Sequence, residues 1–269
     1  MYGYLTKSTL LAALLLPLAL TPAPAQELSG LEIMQKVDAR DDGAQVKREF
    51  TLEMTNRNGA SRTERTIGYR KYFGAEKRTI FFYTEPTNVR GTGFLTFDYP
   101  DPKADDDQWL YLPALRKVRR ISASDRGDYF LGTDFTYEEI KKEQKVELSD
   151  YRFTLTGRET VDGHDTLVVE GLPANEEVAR ELGYSRVVWR VDPVIWMSRL
   201  SDYYDLGGNH LKTIHLEEVR EIDGILTAMK VFARNHKTGH STRLTFAEVD
   251  YKVDVNDSLF AKNRLRRGL

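Results

Sequence analysis

Turn signals recur at short, near-regular intervals along most of this chain, and they restrict its fold more than any other feature. Asn58-Gly59, Asp162-Gly163, Gly207-Gly208-Asn209, Asp223-Gly224 and Thr238-Gly239 are pairs or triplets that tolerate positive φ and so favour tight hairpins. Between them the apolar period is two. Phe50, Leu52 and Met54 alternate with Thr51, Glu53 and Thr55, the pattern of a strand with one dry face. Further strands are predicted near 61–72, 76–84, 92–98, 108–112, 116–121, 151–160, 165–170, 185–191, 195–204, 210–221, 225–235 and 241–252. So many strands joined by short turns require a large antiparallel sheet that curls or closes.

Helical signals are few. Ser29 and Glu32 form a capping box, followed by the stripe Leu31, Met34 and Val37 and the stop Asp41-Asp42-Gly43. Thr136 with Glu139 repeats the box, Asn175 to Leu182 is stopped by Gly183, and DSLFAKNRL predicts a last turn or two. A few helices beside a large curved sheet are expected to plug or cover its concave face.

Several strands do not alternate. Ile80-Phe81-Phe82-Tyr83 and Val187-Val188-Trp189 are apolar on both faces, as happens where both sides of a sheet are covered or where one side lines a pocket. So many strands would leave space inside, since a barrel of about eight is filled by its own side chains. Phe50, Leu52, Met54, Phe81, Tyr83, Phe94, Phe97, Trp109, Tyr111, Trp189 and Trp196 are the candidate cavity residues; each also suits ordinary core packing.

The compartment is read from the N-terminus. Lys7 is the one charge in residues 1–25, and the run Leu10 to Leu20 is shorter than the roughly 20 apolar residues that span a bilayer. Ala23-Pro24-Ala25 fits signal-peptidase cleavage after Ala25, giving an exported mature domain over residues 26–269. The chain has no cysteine, so neither a disulfide nor a lipidated N-terminus is available to it. A net charge of −2 and export together argue against a nucleic-acid partner.

The segment DQWLYLPALRKVRRI reads as a hairpin turning at Pro113-Ala114-Leu115, with Trp109 and Tyr111 on one face and Leu110 and Leu112 on the other. Arg116, Lys117, Arg119 and Arg120 lie at its rim. They are candidates for docking lipid phosphates or a carboxylate-rich partner, and they equally suit an edge strand protected from aggregation by charge.

Signs of catalysis are weak. There is no cysteine nucleophile, no G-x-S-x-G elbow and no phosphate-binding loop, so no enzyme activity and no cofactor are expected. His236 and His240 are expected to face each other across a hairpin without a carboxylate partner, too few ligands for a metal. The acidic stretch Asp101 to Asp107 lacks EF-hand spacing and reads as a solvated loop.

With WLYLPALRKVRRI, GTDFTYEEI and DSLFAKNRL in place, the chain resembles the outer-membrane lipoprotein-sorting proteins of Gram-negative bacteria, a branch of the LolA/LolB superfamily of periplasmic lipid carriers. The resemblance covers nearly all of the mature chain. It implies a mainly β fold, in which an incomplete, half-open antiparallel barrel is covered by a helical lid over a hydrophobic cavity. It further implies a monomeric periplasmic carrier of lipid or lipoprotein acyl chains. Such a carrier would run between an inner-membrane transporter of the RND/MMPL or ABC type and an outer-membrane acceptor. The alternative it leaves open is a lipid-sensing adaptor for such an exporter or for an envelope regulator.

Overall fold

The computed structural model describes Gly3, residues 27–101 and residues 103–269; the expected leader, residues 1–25, lies outside the described residues apart from Gly3. Helix α1 (Gly30–Asp38) comes first. Its capping box forms as expected, Ser29 Oγ accepting from the Glu32 amide at 3.2 Å and Glu32 accepting from the Ser29 amide at 2.7 Å. The helix ends three residues before the expected stop, and its buried face is Ile33, Met34 and Val37; Leu31, expected in the stripe, is exposed. Gly30 permits the contact with the sheet, because a Cβ there would lie 2.7 Å from the backbone nitrogen of Thr154.

Six strands follow as a meander: β1 (Gln45–Thr55), β2 (Ser61–Phe73), β3 (Glu76–Glu85), β4 (Gly93–Asp98), β5 (Asp107–Leu112) and β6 (Lys117–Ile121). A crossing segment, residues 122–150, carries α2 (Tyr137–Lys142). A second meander comprises β7 (Tyr151–Val161), β8 (His164–Pro173), the helix α3 (Glu176–Leu182), β9 (Arg186–Asp192), β10 (Met197–Tyr204), β11 (His210–Ile222), β12 (Ile225–Asn235) and β13 (Ser241–Asp250). The tail adds a short 3₁₀ turn and α4 (Arg264–Arg267).

Antiparallel pairing of β1 with β13 fuses the two meanders into one 13-stranded sheet, in the order β6-β5-β4-β3-β2-β1-β13-β12-β11-β10-β9-β8-β7. Register shifts at Glu49/Phe50, Arg65/Thr66, Leu155/Gly157 and Leu216/Glu218 mark bulges, which bend strands and increase twist. The sheet curls but stays open, with β6 and β7 as its edges.

That topology dictates where the crossing segment must lie. The first meander ends at one edge of the sheet and the second begins at the other, so residues 122–150 have to travel across a face. They take the inner one. Register then gives a nearly unbroken apolar wall beneath them: Leu110, Phe94 and Phe81 are neighbours, Phe50 pairs with Phe246, and Leu52, Leu244, Val231 and Leu216 form one row. Thr242, Ala233, Ile214, Ser201, Trp189 and Val169 continue it to the far edge.

The outer face differs between the halves. Behind β3–β5 it is apolar, and Ile80, Phe82, Leu95 and Trp109 are buried under Val255, Phe260 and Leu265 of the tail. On β7 it is wet, with intermediate and exposed residues alternating over the first half of the strand.

Candidate functional site

The inner wall is occupied by the chain itself. Phe130 and Leu131 begin a tight reversal in which Leu131 and Gly132 take left-handed φ, and the Phe130 amide donates to the Phe135 carbonyl at 2.8 Å. The reversal drives Phe130 into the aromatic part of the wall, where its ring lies 4.9 Å from Phe94 and 5.7 Å from Phe81. Tyr137 closes over it at 5.2 Å, while Phe50 meets Phe81 at 5.6 Å and Phe246 at 5.4 Å. Phe135 is buried on the other half of the wall with Leu216 and Val231. The space left beside Phe135, Ile140, Leu244 and Phe246, lined also by Arg48, Arg70 and Glu143, is about 90 Å³, against the 300 Å³ or more of pockets that hold small molecules.

The plug is fixed by charge. Glu139 caps α2, its carboxylate accepting from the Thr136 amide at 2.9 Å. The same carboxylate accepts from Tyr184 Oη at 2.8 Å and from Lys212 Nζ at 2.6 Å. Lys212 is wholly buried on β11, and its ammonium also donates to the Asp134 carbonyl at 2.9 Å. Burial pulls that ammonium below the usual lysine range, and Glu139 opposes the shift only in part. Asp134 is tied to the wall by Thr242 Oγ1, which donates to it at 2.8 Å, and by His240 Nδ1 at 2.6 Å.

A second set of ion pairs holds the C-terminal end of α2. Glu143 lies 2.5 Å from Arg48 and 3.7 Å from Arg70, and Arg70 lies 2.7 Å from Asp42. Burial raises the Glu143 carboxyl, but Arg48 and Arg70 outweigh it and bring its pKa down to about 2. Lys142 bridges Asp98 at 2.8 Å and Glu147 at 2.9 Å, with Lys77 3.1 Å from Asp98. Burial raises the Asp98 carboxyl, and the two lysines more than reverse it, holding it far below the carboxylate range. Lys141 pairs with Asp106.

The sequence-derived cavity residues fall into three groups. Phe50, Leu52, Met54, Phe81, Tyr83 and Phe94 meet in one inner-face cluster beneath Phe130 and Tyr137. Trp189 lies on the other half of that face against Tyr151 (5.2 Å) and Phe153 (5.7 Å), and Trp196, in the β9–β10 turn, lies below Lys36 Nζ at 5.0 Å. Phe97, Trp109 and Tyr111 point the opposite way, into the cluster covered by the tail. The hairpin splits its faces as period two requires, Leu110 and Leu112 packing inward. Its cations are all exposed; Arg119 lies 3.5 Å from Asp125 and Arg120 2.8 Å from Asp107.

One expectation changes. His236 lies tilted against His210, ring centroids 4.2 Å apart, and His240 turns inward to Asp134 instead of facing His236. Among the described residues no group of three histidines or carboxylates is arranged to hold a metal. Phe130, Phe135, Phe246, Glu139 and Lys212 were not singled out as site residues. For Glu139 the signal was present in the second capping box, but it pointed to a helix start and not to a buried carboxylate.

A family model described as "Uncharacterized protein" matches residues 75–267. A DUF1329-family protein from Desulfovibrio piger shares the fold at 28% identity and a TM-score of 0.80, over 88% of this chain and 97% of its own. A putative outer membrane lipoprotein-sorting protein domain from Vibrio parahaemolyticus matches at 30% identity and a TM-score of 0.79, over 88% and 98%. A LolA superfamily protein from Nitrosomonas europaea is 21% identical with a TM-score of 0.65, over 88% and 99%, a likeness of fold. No curated protein matches the sequence.

Proposed function

The chain belongs to the outer-membrane lipoprotein-sorting protein family, and from that premise we propose that it is a periplasmic, non-catalytic carrier. It would take the acyl chains of a lipid or lipoprotein into the inner face of its sheet and move them between the inner and outer membranes. One observation carries the reading: an apolar wall runs across the inner face of an open sheet, and its aromatic half, from β1 to β6, is covered by one inserted segment, residues 122–150, while α1 covers much of the other half. Phe130, Phe135, Tyr137 and Ile140 stand where acyl methylenes would lie.

The energetics suit exchange. A buried methylene is worth about 0.8 kcal/mol, so an acyl chain of ordinary length gains roughly 10 kcal/mol by leaving water. That gain makes an unaided crossing of an aqueous gap very slow. Moving between a membrane and this wall swaps one apolar setting for another, so direction comes from the donor and the acceptor. The ionisable groups around the plug are engaged with one another in structural ion pairs, which fits binding without turnover.

Native mass spectrometry of protein purified from the periplasm tests the proposal. Co-purified acyl species, exchangeable for a fluorescent fatty-acid probe, are expected. Protein that carries no lipid and takes up no probe, even with the plug loosened by Lys212→Met, would overturn it.

A further inference from the structure

Antiparallel strands place alternate turns at the same end of a sheet, and here the two ends differ in charge. Six connections line one end: the β8–β9 connection holds α3, with Glu176 and Glu177 exposed beside Arg180, and next to it run five neighbouring turns, β10–β11, β12–β13, β1–β2, β3–β4 and β5–β6. The five turns carry the exposed cations Arg116, Lys117, Arg90, Arg57, Arg234 and Lys237, whereas Glu85 and Asp205 are their acidic residues. At the opposite end the β4–β5 loop holds Asp101 and Asp105 against Lys103, with Asp106 and Asp107 paired to Lys141 and Arg120, and further turns add Asp162 and Asp223.

Apolar groups share the basic end. Leu115, at the apex of β5–β6, is 62% exposed, and Leu206, in the β10–β11 turn, is 54% exposed. Val89 and Leu131, both partly buried, carry the aromatic cluster of the inner wall toward the same end.

We propose that this basic rim docks the protein on an anionic phospholipid surface. The cations sit on separate turn apices along an arc and do not converge on a pocket, which suits charge spread over a plane better than a single carboxylate-rich peptide. Leucines projecting from the same apices match a bilayer, where an apolar layer begins just beneath the head groups. The inference rests on the carrier reading for its purpose, since a docked rim presents the aromatic end of the wall to the lipid.

The experiment is vesicle co-sedimentation of the full chain. Vesicles of phosphatidylcholine alone are compared with equal parts phosphatidylcholine and phosphatidylglycerol, at low and high salt. Binding to the anionic vesicles alone is expected, weakening as salt shortens the reach of exposed charge. Each cation near such a surface contributes roughly fivefold in affinity. The variant Arg57→Glu/Arg90→Glu/Arg116→Glu/Lys237→Glu is therefore expected to lose more than about 100-fold, with unchanged melting and unchanged probe uptake in solution. Equal binding to neutral vesicles, wild-type binding by the variant, or capture by an acidic protein with vesicles ignored would each overturn the docking proposal. Vesicle binding by a protein that takes up no acyl probe would leave docking standing and remove the carrier reading instead.

Discussion

Lys212→Met is the substitution that most directly probes the plug. The methionine keeps most of the aliphatic stem and removes a cation that is completely buried. Glu139 then retains Tyr184 Oη at 2.8 Å and the Thr136 amide at 2.9 Å but loses its countercharge. Removing one partner of a buried ion pair costs about 3–5 kcal/mol. The cost falls on the closed arrangement, because in an open one the Glu139 carboxylate reaches water. The closed-to-open ratio should drop between roughly a hundredfold and a few thousandfold. Hydrogen exchange by mass spectrometry reads this locally: residues 126–142 lose protection while the strands of the sheet keep theirs. A fluorescent acyl probe should load correspondingly faster. The double variant Lys212→Met/Glu139→Gln removes the stranded charge as well, and glutamine still serves the capping box. It should recover most of the protection. If the single variant leaves residues 126–142 as protected as before, or loosens the whole sheet evenly, Lys212 does not lock the plug.

Acid should release the plug before it unfolds the sheet. Glu143 has a folded pKa of about 2 against an ordinary 4.5, and Asp98 is also depressed, so their contribution is full above the ordinary carboxylate range and is lost as pH falls toward 2. Exchange of residues 126–142 followed from neutral pH to pH ~2 checks the sign; release on raising the pH instead would refute it. Phe260→Ala empties a fully buried site under the tail and should cost about 3–5 kcal/mol in urea denaturation, leaving the affinity for acyl probe unchanged. Phe94→Ala on the inner wall should cost a similar amount and increase probe affinity, because the space it opens adjoins Phe81 and Phe130.

Much of the fold was legible because hairpin chemistry is local. Both capping boxes, the helix stopped by Gly183 and the hairpin turn at Pro113-Ala114-Leu115 depend on residues within a few positions of one another, and each formed. Period two also sorted Trp109 and Tyr111 from Leu110 and Leu112. It could not say which of the two faces is the inner one. That depends on two distant segments: residues 122–150 cover one side of β3–β5, and the tail covers the other. Pattern alone therefore places Phe97, Trp109 and Tyr111 with Phe94, although their side chains point away from it. Leu31 was misplaced for a simpler cause: the first turn of α1 rests on β7 through Gly30, and the buried stripe then runs through Ile33, Met34 and Val37.

The charges around the plug were invisible as a site because each is an ordinary surface residue type until the topology brings it inside. Their arrangement explains how a plug can be both tight and replaceable. A segment held by apolar contact alone would compete with an acyl chain on equal terms, and the closed form would be poorly defined, since apolar contact is non-directional. Glu139–Lys212 and Glu143–Arg48 fix one register of α2 against β11 and β1. Buried ion pairs add little net stability once desolvation is counted, yet breaking either partner is expensive. The closed state is thus specified sharply, and under the proposed carrier function its advantage over a lipid-loaded state would stay small. On the proposed carrier reading, an acyl chain then has to replace the apolar contacts of Phe130, Phe135, Tyr137 and Ile140, provided that the charged groups of α2 leave together and reach water as the segment swings out.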